Sequence, residues 1–433
     1  MSRKRWFARS AGWVFLCCLL CASCATTRQP VPAAQSAGQT VALAYKFGED
    51  FDKEFGYVGS TYIEPSSRPG KKLTAEPVYR SKRPLYGTVK LGTDKDGVYT
   101  LVIDESKGTG TGYDTMYVDA NGNRDLTDDP KLTAAPRENE NDNRFVFPVV
   151  ELAVRYGDAT YPYHMKPVVD SYGSTSMSLS SAGCCTGDIT LGTKTYKVAV
   201  FDDTGNGLFN DPYVAPKNMG GDQVYGQGDV LVIDLNGDGK FEKSYSDTPE
   251  LHHAGKYLSF GNTCYEISIS PNGRNLTLKE TGAKSGYITT GSATASVELL
   301  GDQGALKLHG KKTVVPEGKY QFYACRLEGK DDKGKVWRII GNGLRRQPAV
   351  NVEAKKKTKL AFGPPLTAEV SINKREDGAY VVALSIKGQG GEAYSAGNFE
   401  LVDKDKTDRP PAPKVKIVDK DGITVAQGNF EYG

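Results

Sequence analysis

From residue 85 onward the chain is written in short runs in which apolar and polar side chains alternate, bounded by glycine, proline, asparagine and aspartate. A period of two puts every second side chain on one face, the mark of a half-buried strand. Residues 85–91 and 98–103 are two such runs, joined by Asp-Lys-Asp-Gly at 94–97, which is hairpin-turn chemistry. Residues 113–118, 145–152, 197–201, 230–233, 265–269 and 276–278 continue the series. After a Gly/Ser/Thr-rich stretch at 282–291 it resumes at 295–300, 305–308, 320–327, 336–340, 350–353 and 358–362. Past Gly363, Pro364 and Pro365 it returns at 368–372, 379–386, 414–418 and 423–427. No stretch after residue 50 carries three turns of helical periodicity.

The pattern predicts an all-β chain. A β domain spans 46–285, followed by two small β-sandwiches over 286–363 and 364–433. Residues 24–45 mix Thr, Gln, Pro, Ala and Ser without a period and read as a flexible tether. The 49 glycines and 24 tyrosines suit a chain of many turns and aromatic-rich strands.

The first 23 residues depart from this pattern. Arg3, Lys4, Arg5 and Arg9 precede an apolar run at 11–22, and small residues lead to Cys24. That is the layout of a secretory signal peptide, and the run is shorter than the roughly 20 apolar residues needed to cross a bilayer. Leu20, Cys21, Ala22, Ser23 and Cys24 resemble the lipobox of bacterial lipoproteins. The resemblance implies cleavage before Cys24, a lipid on its thiol, and an exported protein held at the outer or the cytoplasmic membrane. Cys21 stands where that family has leucine, so cleavage without lipid, giving a periplasmic or secreted protein, stays open.

Loss of the four basic signal residues turns the formal charge of +3 into −1. A near-neutral chain lacks the dense basic face that nucleic acid requires, so no nucleic-acid partner is expected. Four cysteines follow Cys24, namely Cys184, Cys185, Cys264 and Cys325. Outside the cytoplasm they are free to oxidise, with Cys184 joined to Cys185, or one of the two joined to Cys264, as candidate pairings.

The most specific motif occurs three times, each time after an apolar strand. Aligned on a first aspartate (Asp119, Asp202, Asp234), the copies carry a side-chain oxygen at place three (Asn121, Thr204, Asn236). Glycine follows at place four and Asn123, Asn206 or Asp238 at place five. An apolar residue holds place eight: Leu126, Phe209 or Phe241. Side chains at one, three and five set oxygens on one side of a tight turn, and the carbonyl of place seven, that of Lys240 in the third copy, adds another. This is the donor set calcium needs, six to eight oxygens at about 2.3–2.6 Å. Asp125, Asp128 and Asp129 in the first loop, Asn210 and Asp211 in the second and Glu242 in the third are further candidate ligands.

These loops resemble the D-x-[DN]-x-[DN]-G start of EF-hand, dockerin and thrombospondin type 3 calcium loops. The resemblance implies bound calcium. Place twelve, which holds a bidentate glutamate in an EF-hand, is Pro130, Tyr213 or Tyr245, and place six of the first loop is Arg124. The sites expected are therefore structural ones of extracellular type, with affinity of order 10⁻⁴–10⁻³ M. The competing reading is a plain Asn-Gly or Asp-Gly turn, which is what 94–97 and 419–422 are expected to be. The segment Val315, Pro316, Glu317, Gly318, Lys319 and Tyr320 resembles the turn of transthyretin-like modules, which implies a binding or spacing role.

Asp202 and Asp203 also open an Asp-Thr-Gly resembling that of aspartic proteases, but no second copy supplies the carboxylate partner such enzymes need. His252 and His253 beside Glu250 read as a surface turn rather than a metal site. No nucleophile elbow, phosphate loop or Cys-His pattern is present. The function expected is non-catalytic: an envelope protein that binds or presents an unidentified envelope or extracellular ligand. An extracellular hydrolase acting on polysaccharide or peptide is the alternative.

Overall fold

The structure, a computed structural model, describes residues 38–431 except 52–54, 56–58, 110–111, 138, 140–141, 216–223, 225, 242–247, 291–295, 403–406 and 409–410. Its regular elements are all strands, so the fold is all-β. Cys24 and Glu242 lie outside the described residues.

Residues 39–280 build one body from four sheets around one core. Gln39–Ala42, Asn275–Glu280, Thr263–Ile269 and Tyr257–Phe260 form one sheet in that order. Leu251–His253, Val230–Ile233, Lys194–Phe201, Gly183–Leu191 and Ala44–Phe47 form the second. The third centres on the long strand Ala159–Tyr172, and the fourth runs Leu85–Lys90, Val98–Asp104, Thr115–Val118 and Lys131–Thr133. Leu43, Leu101, Met116, Leu152, Met177, Val200 and Leu276, drawn from all four, share one buried cluster. Within the span expected as tether, 24–45, residues 39–42 and 44–45 are therefore strand. Gln39–Ala42 pairs with 275–278, and Leu43 is buried in the core, so burial of apolar surface overrides the period-free composition.

Among the strands that escaped the sequence pattern are three consecutive ones, Ala159–Tyr172, Ser174–Ser181 and Gly183–Leu191. Pro162 and Pro167 interrupt the first, and Ser and Thr dominate the second, which weakens any local signal. They form because their apolar members, Tyr163, Met165, Val169, Met177 and Leu179, reach the common core.

The second body joins a three-stranded sheet, Lys312–Pro316, Ser285–Thr289 and Lys357–Lys359, to a nine-stranded one. The expected boundary at 364 is a turn within this larger sheet. Val336–Asn342 pairs with Ala393–Val402, and Tyr394 joins Val297, Phe322 and Cys325 in the second core. Glu392, fully buried, accepts from the amides of Gly363 (2.5 Å) and Gly390 (3.0 Å), tying the Gly-Pro-Pro turn to the sheet. The sandwich expected over 364–433 is thus an extension of its neighbour, plus the hairpin Lys414–Val418 and Thr424–Asn429.

The two bodies meet through buried polar groups. Lys307 Nζ donates to the carbonyls of Thr248 and Leu251, both at 2.7 Å, and His253 Nδ1 lies 2.7 Å from Glu298 Oε1. Tyr213 stacks on His253, and its hydroxyl meets that of Tyr323 at 2.8 Å. His252 and His253, expected on a surface turn, therefore lie in a strand at this seam, with His252 buried beside His309.

None of Cys184, Cys185, Cys264 and Cys325 is in a disulfide, and all four are buried. The Cys184–Cys185 pairing fails for a geometric reason. Neighbours on a strand point to opposite faces, so Cys184 enters one core cluster and Cys185 another.

Candidate functional site: three acidic loops at sheet rims

Each acidic loop leaves a strand buried along its whole final stretch: Thr115–Val118, Val198 to Phe201 of the second, and Val230–Ile233. The aspartate that follows is the first polar side chain past the core, so its carboxylate stays inside. Asp119, Asp202 and Asp234 are 0%, 1% and 4% exposed. With the carboxylate fixed there, the chain curls around it.

Asp202 Oδ1 accepts from the amides of Thr204 (3.1 Å) and Gly205 (2.7 Å) and from the Thr204 hydroxyl (3.1 Å). Its Oδ2 accepts from Gly207 N (2.7 Å) and the Tyr163 hydroxyl (2.7 Å). Asp234 repeats this with Gly237 N (2.7 Å) and Gly239 N (3.0 Å), and Asp119 Oδ2 accepts from Arg124 N (3.2 Å). Place five then caps place seven in every copy, as Asn123 accepts from Asp125 N (2.6 Å), Asn206 from Leu208 N (2.8 Å) and Asp238 from Lys240 N (2.8 Å). Asn121 and Asn236 accept from place five at 2.9 and 2.7 Å, each an Asx turn. Thr204 instead donates to Asp202 and to Asp211.

The backbone follows one path three times. Place four has φ of 75°, 66° and 79°, and place six 69°, 76° and 81°. Glycine adopts these values freely, whereas Arg124 occupies place six of the first loop against a cost of about 1–2 kcal/mol. Thr74 holds it there, its amide (2.7 Å) and hydroxyl (2.8 Å) both donating to the Arg124 carbonyl. Leu126 and Phe209, each 1% exposed, anchor place eight in the core. By contrast, 94–97 and 419–422 are simple hairpin turns, with Gly97 N donating to Asp94 O and Gly422 N to Asp419 O.

A second carboxylate closes each loop: Asp129 of the first was among the candidate oxygens, whereas Asp229 and Glu250 were not assigned to the second and third. Asp229 Oδ1 accepts from Asp203 N (3.0 Å) and Oδ2 from Asp211 N (2.7 Å). Glu250 Oε1 accepts from Leu235 N (3.0 Å) and Asn236 N (3.2 Å). In the first loop Asp129 lies where the amides of Ala120 and Asn121 favour its charged form, against the desolvation that raises its pKa. All three acids stand one or two residues before the next antiparallel neighbour: Val230–Ile233, Leu251–His253 and Lys131–Thr133. Antiparallel pairing returns the chain to the rim it left, so an acid ending one strand faces an acid opening the next. The local signal was present, an Asp or Glu just ahead of a strand, but its partner was set by the pairing.

Burial raises these acids. Asp229 is pushed up to about 9 by desolvation and then by the charge of Asp202, and Asp202 to about 6 by desolvation against its donors. Desolvation, with the charges of Asp119 and Asp128 nearby, takes Asp129 to about 6, and it raises Asp119 as well. Asp202 is sealed inside its loop, where no substrate reaches it.

Of the other expected ligands, Asp211 Oδ2 accepts from Asn206 Nδ2 (2.6 Å) and Asp128 Oδ2 from Asn123 Nδ2 (2.9 Å). Asp125 caps Thr127 (2.9 Å), and Asn210 is exposed on the wall of a surface cleft with Pro212 and Lys256. Among the described residues no three His, Cys, Asp or Glu side chains converge on one point. A cation held here would take one or two carboxylates and complete its shell with hydroxyl, amide, carbonyl and water oxygens, which is calcium's preference.

The fold and loops define an all-β protein whose sheet rims are closed by paired, buried carboxylates. No protein-family model, curated protein or solved structure matches the chain.

Proposed function

We propose that this is an exported lipoprotein of the cell envelope, anchored through a lipid on Cys24, that binds or presents an envelope or extracellular ligand and catalyses nothing. Calcium in the acidic loops is its structural cofactor. The observation that carries this reading is the twice-closed loop frame. In the second and third loops the buried carboxylates are engaged by backbone amides at sheet rims, an arrangement suited to stiffening a scaffold rather than moving protons for a substrate.

The test is the melting temperature of residues 25–433 in 2 mM calcium and in EGTA. For affinities of about 10⁻⁴–10⁻³ M, mass action gives about 0.6–2 kcal/mol per site. That is a rise of about 1–8 °C for a body of this size. No rise would overturn the calcium part. Turnover of a glycan or peptide panel, abolished by a carboxylate change outside the loops, would overturn the non-catalytic part.

A further inference from the structure

We propose that the first acidic loop holds its calcium ion between Asp119 and Asp129, with the Thr100 hydroxyl as a third donor. The inference rests on the calcium reading of the loops and adds to it a particular site, with Asp129 and Thr100 as ligands outside the repeated motif.

In this loop three buried oxygens have no hydrogen-bond partner: Thr100 Oγ1, Asp119 Oδ1 and Asp129 Oδ2. Asp119 is fully buried and Thr100 is 1% exposed. Leu101 faces Val118 across the strand pair, and Asp119 N donates to Thr100 O at 2.9 Å. Thr100 and Asp119 are thus opposite each other, and side chains at opposed positions rise on the same face. Asp129 follows on the same loop, near enough for the charges of Asp119 and Asp128 to act on it.

A buried polar group without a partner is costly, and a buried charge without one more so. The second loop avoids this cost, since Asp202 and Asp229 receive backbone amides on both oxygens of each carboxylate. Asp234 is likewise capped on both oxygens. In the first loop both frame acids, Asp119 and Asp129, keep a buried oxygen that has no hydrogen-bond partner. A divalent cation supplies the missing partner for both acids at once. Calcium fits better than magnesium, which demands near-ideal octahedral geometry and keeps most of its water. Water completes the oxygen shell on the solvent side, where the exposed Asn121 lies.

Calorimetric titration of residues 25–433 with calcium chloride at pH 7.5 tests the assignment, comparing Asp129→Asn, Asp119→Asn and Thr100→Val with Asp234→Asn. The expected result is loss of one site, or weakening by at least about tenfold, in Asp129→Asn and Asp119→Asn. Thr100→Val weakens the same site, and Asp234→Asn leaves it in place. Asp129 is only partly buried, so Asp129→Asn decides the matter if Asp119→Asn does not fold. Wild-type stoichiometry and affinity in Asp129→Asn would overturn this site while leaving calcium in the other loops. No binding heat from the wild-type chain would overturn the site and the calcium reading together.

Discussion

Replacing Asp202 by alanine isolates what the loop frame contributes without any ion. Three short bonds end on this buried carboxylate, from Gly205 N, Gly207 N and the Tyr163 hydroxyl, each at 2.7 Å. Hydrogen bonds to a charged group contribute about 1.5–3 kcal/mol each, so the set is worth about 4.5–9 kcal/mol. Against this stands the burial of the charge. Its pKa of about 6, against 3.8, is the net of desolvation and these same bonds, so burial offsets much of the set. Alanine leaves the two buried amides, Gly205 N and Gly207 N, without an acceptor at about 1–3 kcal/mol each, a loss of about 2–6 kcal/mol in Asp202→Ala, large beside a typical substitution. Urea unfolding at pH 7.5 in EGTA measures it. Because the folded-state pKa is raised, the stability this proton gives is fully present below pH 3.8 and is lost as pH rises through about 6. The wild type should therefore gain on Asp202→Ala as pH falls from 7.5 to 5. A loss below about 1 kcal/mol, with no pH trend, would refute the claim that the carboxylate organises the loop.

Other consequences can be checked in the same way. Leu126→Ala should cost about 2–5 kcal/mol in urea unfolding, because its side chain is sealed among Tyr86, Val102 and Tyr117 and the cavity cannot fill with water. His252, buried against His253, His309 and Lys307, has its pKa held well below 6.5 by desolvation and by those like charges. It favours folding only while neutral, so stability should fall as pH drops below about 6.5, and the fall should be shallower in His252→Leu. Gly304→Ala places a Cβ 2.4 Å from the Gly255 Cα at the seam between the two bodies, and should lower the melting temperature while leaving calcium affinity unchanged. Cys24→Ser should abolish incorporation of labelled palmitate and release the chain from the membrane fraction.

The all-β class was legible along the chain because alternation is a local property. Strands such as 85–90, 98–104 and 230–233 state their own period and their own turns. The place-one aspartates were legible for the same reason, each being the polar residue that ends an apolar run. Strands 159–172 and 174–181 were not, since Pro162, Pro167 and a serine-rich stretch speak against strand locally, and only contact with the common core selects it. The boundary read at 364 fails likewise: Gly-Pro-Pro fixes a turn, but not whether the sheet continues beyond it.

What only the tertiary structure decided is which acids meet. Asp129 follows Asp119 within the same loop, but Asp229 and Glu250 stand 27 and 16 residues beyond the aspartates they face, at spacings no local motif would link. Antiparallel pairing brings strand ends back to a common rim, and that return sets carboxylate beside carboxylate. The sequence by itself determined that each loop would curl around a buried aspartate. The sheet determined that a second acid would close it, and that in the first loop each of the two would keep a buried oxygen without a hydrogen-bond partner.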